Sequence, residues 1–134
     1  MTNKPCVLLA EDDADLREFM ASRIEALGCK VVAVGDGVEA MKYMSDTFGA
    51  LTTDPSPDLL ITDIRMPRCE GIDVLAYTRM QPLPAIVVTA FGTPESFAEA
   101  RELGAVECFS KPFDIDDLCA AVLRHLPASD ADRP

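Results

Sequence analysis

Cys6-Val7-Leu8-Leu9-Ala10-Glu11-Asp12-Asp13 carries five apolar residues straight into three acids. The apolar run is continuous rather than alternating, as in a strand buried on both faces of a parallel sheet. Four similar runs follow, at Lys30–Val34, Leu59–Thr62, Ala85–Thr89 and Val106–Phe109. Amphipathic stretches separate them. The first predicts a helix over Ala14–Leu27, with Leu16, Phe19, Met20, Ile24 and Leu27 on one face and Gly28 as a left-handed C-terminal cap. A second helix follows Asp36-Gly37 with Val38, Met41 and Met44 inward, and a third follows Gly71 with Ile72, Leu75 and Ala76. The fourth starts from Thr93 as N-cap with Pro94 at its first position and ends at Gly104. The fifth starts from Asp114, buries Ile115, Leu118, Val122 and Leu126, and stops at Pro127.

Five strand–helix units in succession specify an α/β fold. The expected architecture is a doubly wound (βα)5 sandwich: a five-stranded parallel sheet of order 2-1-3-4-5, with helices on both faces and right-handed crossovers, as in flavodoxin-like folds. Ligands of such sheets bind beyond the carboxyl ends of the strands, at the switch in strand order. Two segments fall outside the repeat. Ser45–Asp58, with Gly49, Pro55 and Pro57, reads as an irregular excursion, and Ala128–Pro134 as a frayed end.

At 134 residues, 49% of them apolar, the chain fits one domain with an ample core. That domain is expected over residues 1–126, with a short flexible tail over 127–134. Glu11, Asp36, Asp58 and Asp63 interrupt the apolar runs, so no membrane span is expected, and Met1–Pro5 lacks the features of a signal peptide. The cytoplasm is the expected compartment. Five cysteines, Cys6, Cys29, Cys69, Cys108 and Cys119, include no CxxC pair and read as reduced residues in or near the core. A net charge of −11 argues against direct nucleic-acid binding, which needs a basic surface.

The residues just past the strands form a chemical set. The first strand ends in Glu11-Asp12-Asp13, the third in Asp63, the fourth in Thr89 and the fifth in Lys111-Pro112. The proposed topology brings them to one edge. Two like charges at ~4 Å repel by roughly 4 kcal/mol at an effective dielectric near 20, more than Lys111 alone offsets. A divalent cation with hard oxygen ligands resolves this, and Mg2+ is favoured, with Mn2+ as a substitute. No His or Cys set supports zinc or copper. Beside such a cation a carboxylate can attack phosphorus, with Lys111, Thr89 and backbone amides neutralising the phosphoryl oxygens.

Four motifs then coincide: Leu-Leu-Ala-Glu-Asp-Asp-Ala-Asp-Leu-Arg (8–17), Ile-Thr-Asp-Ile-Arg-Met-Pro with Gly71 downstream (61–71), Val-Val-Thr-Ala (87–90) and Ser-Lys-Pro-Phe (110–113). In these the chain resembles the CheY-like receiver domain of bacterial two-component response regulators, over residues 5 to 126. The resemblance implies that Asp63 is the phosphorylation site and a metal ligand, that Asp12 binds Mg2+ directly and Glu11 through water, and that the Arg65 backbone carbonyl is the third protein ligand. Asp13, one position past the acidic pair, falls where the N-cap of the first helix belongs. Thr89 and Lys111 would contact the phosphoryl group, and the small Ala90 leaves Asp63 accessible. Lys111-Pro112 is expected to be cis. The resemblance implies a signalling switch rather than an enzyme, promoting only its own phosphorylation and slow dephosphorylation. Its expected partners are a sensor histidine kinase or phosphotransfer protein and an unidentified downstream protein, with a phosphorylation-dependent homodimer left open.

The pattern breaks at one place. The family usually has an aromatic residue three positions before the lysine, whose inward rotation accompanies movement of the threonine. This chain has Cys108 there, and Phe109 should face the other side of the strand. Signal is therefore expected to pass through the backbone of the fourth strand, fourth helix and fifth strand, altering the face made by the fourth helix, fifth strand and fifth helix. In the family's geometry the positions of Arg65 and Phe91 flank the phosphate, and the resemblance implies that they slow its hydrolysis. Phe97, Phe109 and Phe113 read as core or near-core packing, and His125 as a structural residue at a helix end. Two alternatives remain: the same fold as a phosphorylation-independent scaffold, and a haloacid-dehalogenase-like phosphatase, whose Asp-x-Asp pattern residues 11–15 fit only loosely. A flavodoxin-like FMN protein would need a phosphate-binding loop where this chain has acids.

Overall fold

Five parallel strands make one sheet of order β2-β1-β3-β4-β5. They are β1 (Cys6–Ala10), β2 (Lys30–Val34), β3 (Leu59–Thr62), β4 (Ala85–Thr89) and β5 (Ala105–Ser110). Helices α1 (Ala14–Glu25), α2 (Gly37–Phe48), α3 (Gly71–Thr78), α4 (Pro94–Glu102) and α5 (Ile115–His125) alternate with them. The structure, a computed structural model, describes residues 4–64, 71–81, 83–90 and 92–127. The expected fold class and strand order hold. Of the expected tail only Pro127 is described, and Cys69 and Ala128–Pro134 lie outside the described residues.

The pleat sends alternate strand residues to two cores. Leu8, Leu60, Ala85 and Val87 meet Ala40 and Met44 of α2, Val74 and Leu75 of α3, and Ala100 of α4. Val7, Leu9, Leu59, Ile61, Ile86 and Val88 meet Met20 and Ile24 of α1 and Leu118, Ala121 and Val122 of α5. Each large side chain so buried contributes about 1.5–3 kcal/mol, which is what holds five helices to the sheet. The central strands β1, β3 and β4 are buried throughout, whereas β2 and β5, at the edges, are mostly partly buried or exposed, Ala105 at the start of β5 being the buried exception.

Several helix assignments shift. α1 ends at Glu25, and Gly28, at φ 95°, closes the turn in a conformation that a side chain would strain. Phe19 is exposed, because the inward stripe is centred on Met20 and Ile24 and Phe19 falls at its margin. Val38 is likewise exposed rather than inward: Ala40, Met44 and Thr47 set the buried face of α2, and Val38 lies round the helix from them. Ala76 is exposed; among the described residues of α3, Val74, Leu75 and Thr78 are buried, and the side chain of Ile72 lies outside the described residues. α2 continues through Ser45 to Phe48, so only residues 49–58 form the irregular connection. That stretch is tied down: the Tyr43 hydroxyl donates to the Pro55 carbonyl at 2.6 Å, and the Cys6 amide donates to Asp58 Oδ2 at 2.8 Å. Cys6, Cys29 and Cys119 are buried free thiols and Cys108 is partly buried, as expected of reduced residues near the core.

Candidate functional site

Parallel pairing puts the carboxyl ends of β1, β3, β4 and β5 at one edge, in register from Ala10↔Thr62 to Thr89↔Ser110. There the chain turns from buried strand to loop, and polar side chains gather. Asp63 directly follows β3 and is buried, as are Glu11 after β1 and Thr89 at the end of β4. Lys111 reaches in from the end of β5, its amide donating to the Thr89 carbonyl at 2.8 Å. Its bond to Pro112 is cis, as expected.

The Lys111 ammonium is shared between two carboxylates. Nζ lies 2.9 Å from Asp63 Oδ2 and 2.6 Å from Glu11 Oε1. Burial alone would depress the lysine, but the bonds to Glu11 and Asp63 outweigh it and raise its pKa. Burial pushes the Glu11 carboxyl above the usual carboxylate range; Lys111 and the Asp13 amide draw it back only in part, while Asp12 adds to the rise. Ligand oxygens of Glu11, Asp12 and Asp63 all lie within 4.8 Å of one another, and Asp12 is exposed. One lysine thus faces three carboxylates. Among the described residues the hard oxygen donors exceed the local positive charge, with one member open to solvent, a set that could hold a divalent cation.

Neighbouring residues hold the acids in place. The Asp13 carboxylate accepts from the amides of Asp15 and Leu16, which makes it the N-cap of α1, as its position predicted. The Asp13 amide donates to Glu11 Oε2 at 3.1 Å, and Arg17 Nη1 donates to the Glu11 carbonyl at 2.8 Å. Arg17 was not singled out from sequence. An arginine one helical turn past an N-cap carries no signal until the loop geometry is known.

Ala90 is exposed beside Thr89. Cys108 packs against the α2–α3–α4 core and Phe109 against the α1–α5 core, so the two do face opposite sides. Phe113 joins Phe109, whereas Phe97 is half-buried and belongs to neither core. Arg65 and Phe91 lie outside the described residues. His125 is structural as expected, its Nε2 2.8 Å from Glu107 Oε2. A groove of about 350 Å³ lined by Pro57, Asp58, Pro84, His125, Leu126 and Pro127 sits where β3 and β4 begin, at the opposite end from the acids.

Residues 7–123 match the family described as response regulator receiver domain. The chain is 38% identical over 120 residues to the transcriptional regulatory protein PdtaR of Mycobacterium tuberculosis, covering 87% of this chain and 54% of that protein. It is 28% identical over 123 residues to sporulation initiation phosphotransferase F of Bacillus subtilis, covering 90% of this chain and 93% of that protein. It therefore spans about half the length of the first relative and nearly all of the second. Among solved structures, the response regulator protein TrrA of Thermotoga maritima in complex with Mg(2+)-BeF superposes with a TM-score of 0.75 at 26% identity, covering 91% of this chain and 99% of that one.

Proposed function

The chain belongs to the family of response regulator receiver domains of two-component systems, and from that premise we propose that it is a phosphoacceptor switch with Asp63 as the acceptor. Members of this family are signalling switches rather than conventional enzymes, and they take phosphoryl groups from histidine kinases or phosphotransfer proteins. The observation that carries the reading is the position of Asp63: buried at the end of a central strand, 2.9 Å from the Lys111 ammonium and within 4.8 Å of the Glu11 and Asp12 ligand oxygens.

In the proposed step an Asp63 carboxylate oxygen attacks the donor phosphorus. The new O–P bond forms as the bond from phosphorus to the leaving group breaks, and the leaving group keeps that electron pair. Lys111 is already placed against Asp63 and would follow the charge onto the phosphoryl oxygens. Thr89, at the end of the adjacent strand, would offer its hydroxyl to the same group. Asp12 and Asp63, with Glu11 through water and the Arg65 carbonyl, would hold magnesium, which when bound neutralises phosphoryl charge. Arg17 and the Asp13 cap keep Glu11 and Asp12 in place meanwhile.

The reading extends to a cytoplasmic setting, a sensor kinase or phosphotransfer protein as donor, and a downstream protein as receiver of the signal. Its test is incubation with acetyl phosphate and Mg2+, followed by intact-mass measurement. Wild type is expected to gain one phosphoryl group, and Asp63→Asn and magnesium-free samples none. Equal labelling of Asp63→Asn would remove Asp63 from the role, and a wild type that takes up nothing would leave the scaffold reading in its place.

A further inference from the structure

Glu11 and Asp12 are joined by one peptide, and the carbonyl of that peptide is held from α1. Arg17 Nη1 donates to the Glu11 carbonyl at 2.8 Å. On the other flank the Glu11 amide donates to the Val34 carbonyl at 3.1 Å, one step past the Ala10↔Val34 pairing of β1 with β2. Both main-chain polar groups of Glu11 are therefore engaged, one by an edge strand and one by the first helix. Its carboxylate is engaged as well, by Lys111 at 2.6 Å and by the Asp13 amide at 3.1 Å. The peptide from which the two acids spring has little freedom to tilt.

Arg17 is itself seated. Its amide donates to the Asp13 carbonyl at 2.8 Å in the first turn of α1, and its half-buried side chain reaches the turn that follows β2. There the guanidinium lies against Gly35. A methyl group built on Gly35 would stand 3.2 Å from Arg17 Nη1, tighter than ordinary contact, and 3.7 Å from Glu39 Oε2. The Gly35 amide donates to that same Glu39 oxygen at 2.9 Å, so the carboxylate lining the niche is fixed in turn. Gly35 does not hold a positive φ. What it supplies is room for the guanidinium. Among the described residues Arg17 bonds a main-chain carbonyl rather than a carboxylate, so what it fixes is the path of the acid loop.

We propose that Arg17, seated in the Gly35–Glu39 niche, is a positioning residue that sets the preference of the acid cluster for magnesium over calcium. The inference rests on the phosphoacceptor reading above. Mg2+ demands near-octahedral oxygens at about 2.0–2.1 Å, whereas Ca2+ accepts a looser shell at about 2.3–2.6 Å. A braced peptide keeps the carboxylates close enough for the smaller ion. A free one lets them open to the larger. Residues that orient metal ligands without touching the metal typically change affinity by about 10–100-fold.

Calorimetric titration of the whole protein with MgCl2 and with CaCl2, at matched ionic strength, tests it. Wild type is expected to bind Mg2+ more tightly than Ca2+. Arg17→Ala is expected to weaken Mg2+ binding about tenfold and Ca2+ binding much less, so that the ratio of the two dissociation constants collapses. Gly35→Ala keeps the arginine but crowds its guanidinium off the carbonyl, and is expected to lower the ratio too. Arg17→Lys, which keeps a donor of the same charge, restores part of the ratio and covers the case in which the alanine variant does not fold. An arginine that only supports the fold gives a different pattern: Arg17→Ala melts earlier but shifts both ions equally. One that acts only through its charge tightens both ions when it is removed. Either result overturns the inference, as does a Gly35→Ala protein with the wild-type ratio. A wild type that binds the two ions equally overturns it alone, and a wild type that binds neither removes the phosphoacceptor reading with it.

Discussion

Glu11 is buried as deeply as the leucines before it, and Lys111 is the group that makes this tolerable. An uncompensated carboxylate out of water is costly, and here a second one, Asp63, shares the same ammonium. Lys111→Ala would leave the two facing each other. The expected loss is about 2–3 kcal/mol, somewhat under the 3–5 kcal/mol typical of breaking a buried pair, because the Lys111 side chain keeps 18% exposure. Urea unfolding in EDTA should show it, and added Mg2+ should return part of it, since a divalent cation takes over the same neutralisation. Unchanged stability in EDTA would mean that water already screens the acids. This pairing was only partly legible in the sequence. The acids and the lysine can be placed at strand ends by counting, but the direct Glu11–Lys111 bond and the Arg17 brace depend on side-chain geometry that no spacing encodes.

At the scale of elements, the sequence located all ten but not always their inward faces. Short apolar runs bounded by acids mark strands wherever they lie, yet a run does not tell a central strand from an edge one. The edge strands β2 and β5 are accordingly less buried than their composition suggests. The inward face expected of the helices departs from the structure at Phe19, Val38 and Ala76, each an apolar residue one or two positions off a stripe fixed by its buried neighbours. β5 also holds a polar residue that the runs did not reveal as structural. Glu107 binds Arg124 Nη2 at 2.7 Å and His125 Nε2 at 2.8 Å, clamping the edge strand to the last turn of α5. Arg124 is the main cause holding the Glu107 carboxyl below the usual carboxylate range, burial opposes, and His125 adds to the lowering. A depressed carboxylate stabilises the fold above its unfolded pKa and ceases to do so as pH falls through the folded one. Glu107→Gln should therefore cost about 0.2–1 kcal/mol at neutral pH, the range for exposed pairs, and the gap to wild type should close in acid. Denaturant midpoints of both proteins across that range measure it. A gap that persisted in acid would point to shape rather than charge.

For the molecule as a whole, 23 acids against 12 bases give a net charge of −11, and part of that excess is gathered at one sheet edge. Any salt will relieve the general repulsion, so stabilisation by Mg2+ alone would say little about a site. Comparison at matched ionic strength separates the two effects. A cation that binds the folded chain at one place adds stability that grows with the logarithm of its concentration, reaching about 2.7 kcal/mol at a hundredfold excess over Kd. Screening at fixed ionic strength adds nothing further. Thermal melts of wild type in MgCl2 are therefore expected to lie above those in NaCl of equal ionic strength. Asp63→Asn and Asp12→Asn should lose most of that margin, because each deletes one of three converging carboxylates. A double substitution of exposed acids away from the edge, Glu25→Gln with Glu102→Gln, reduces the magnitude of the net charge by more than either site variant does and should keep the margin. If that control lost it as well, the effect would belong to the whole charged surface and not to the cluster formed by Glu11, Asp12 and Asp63.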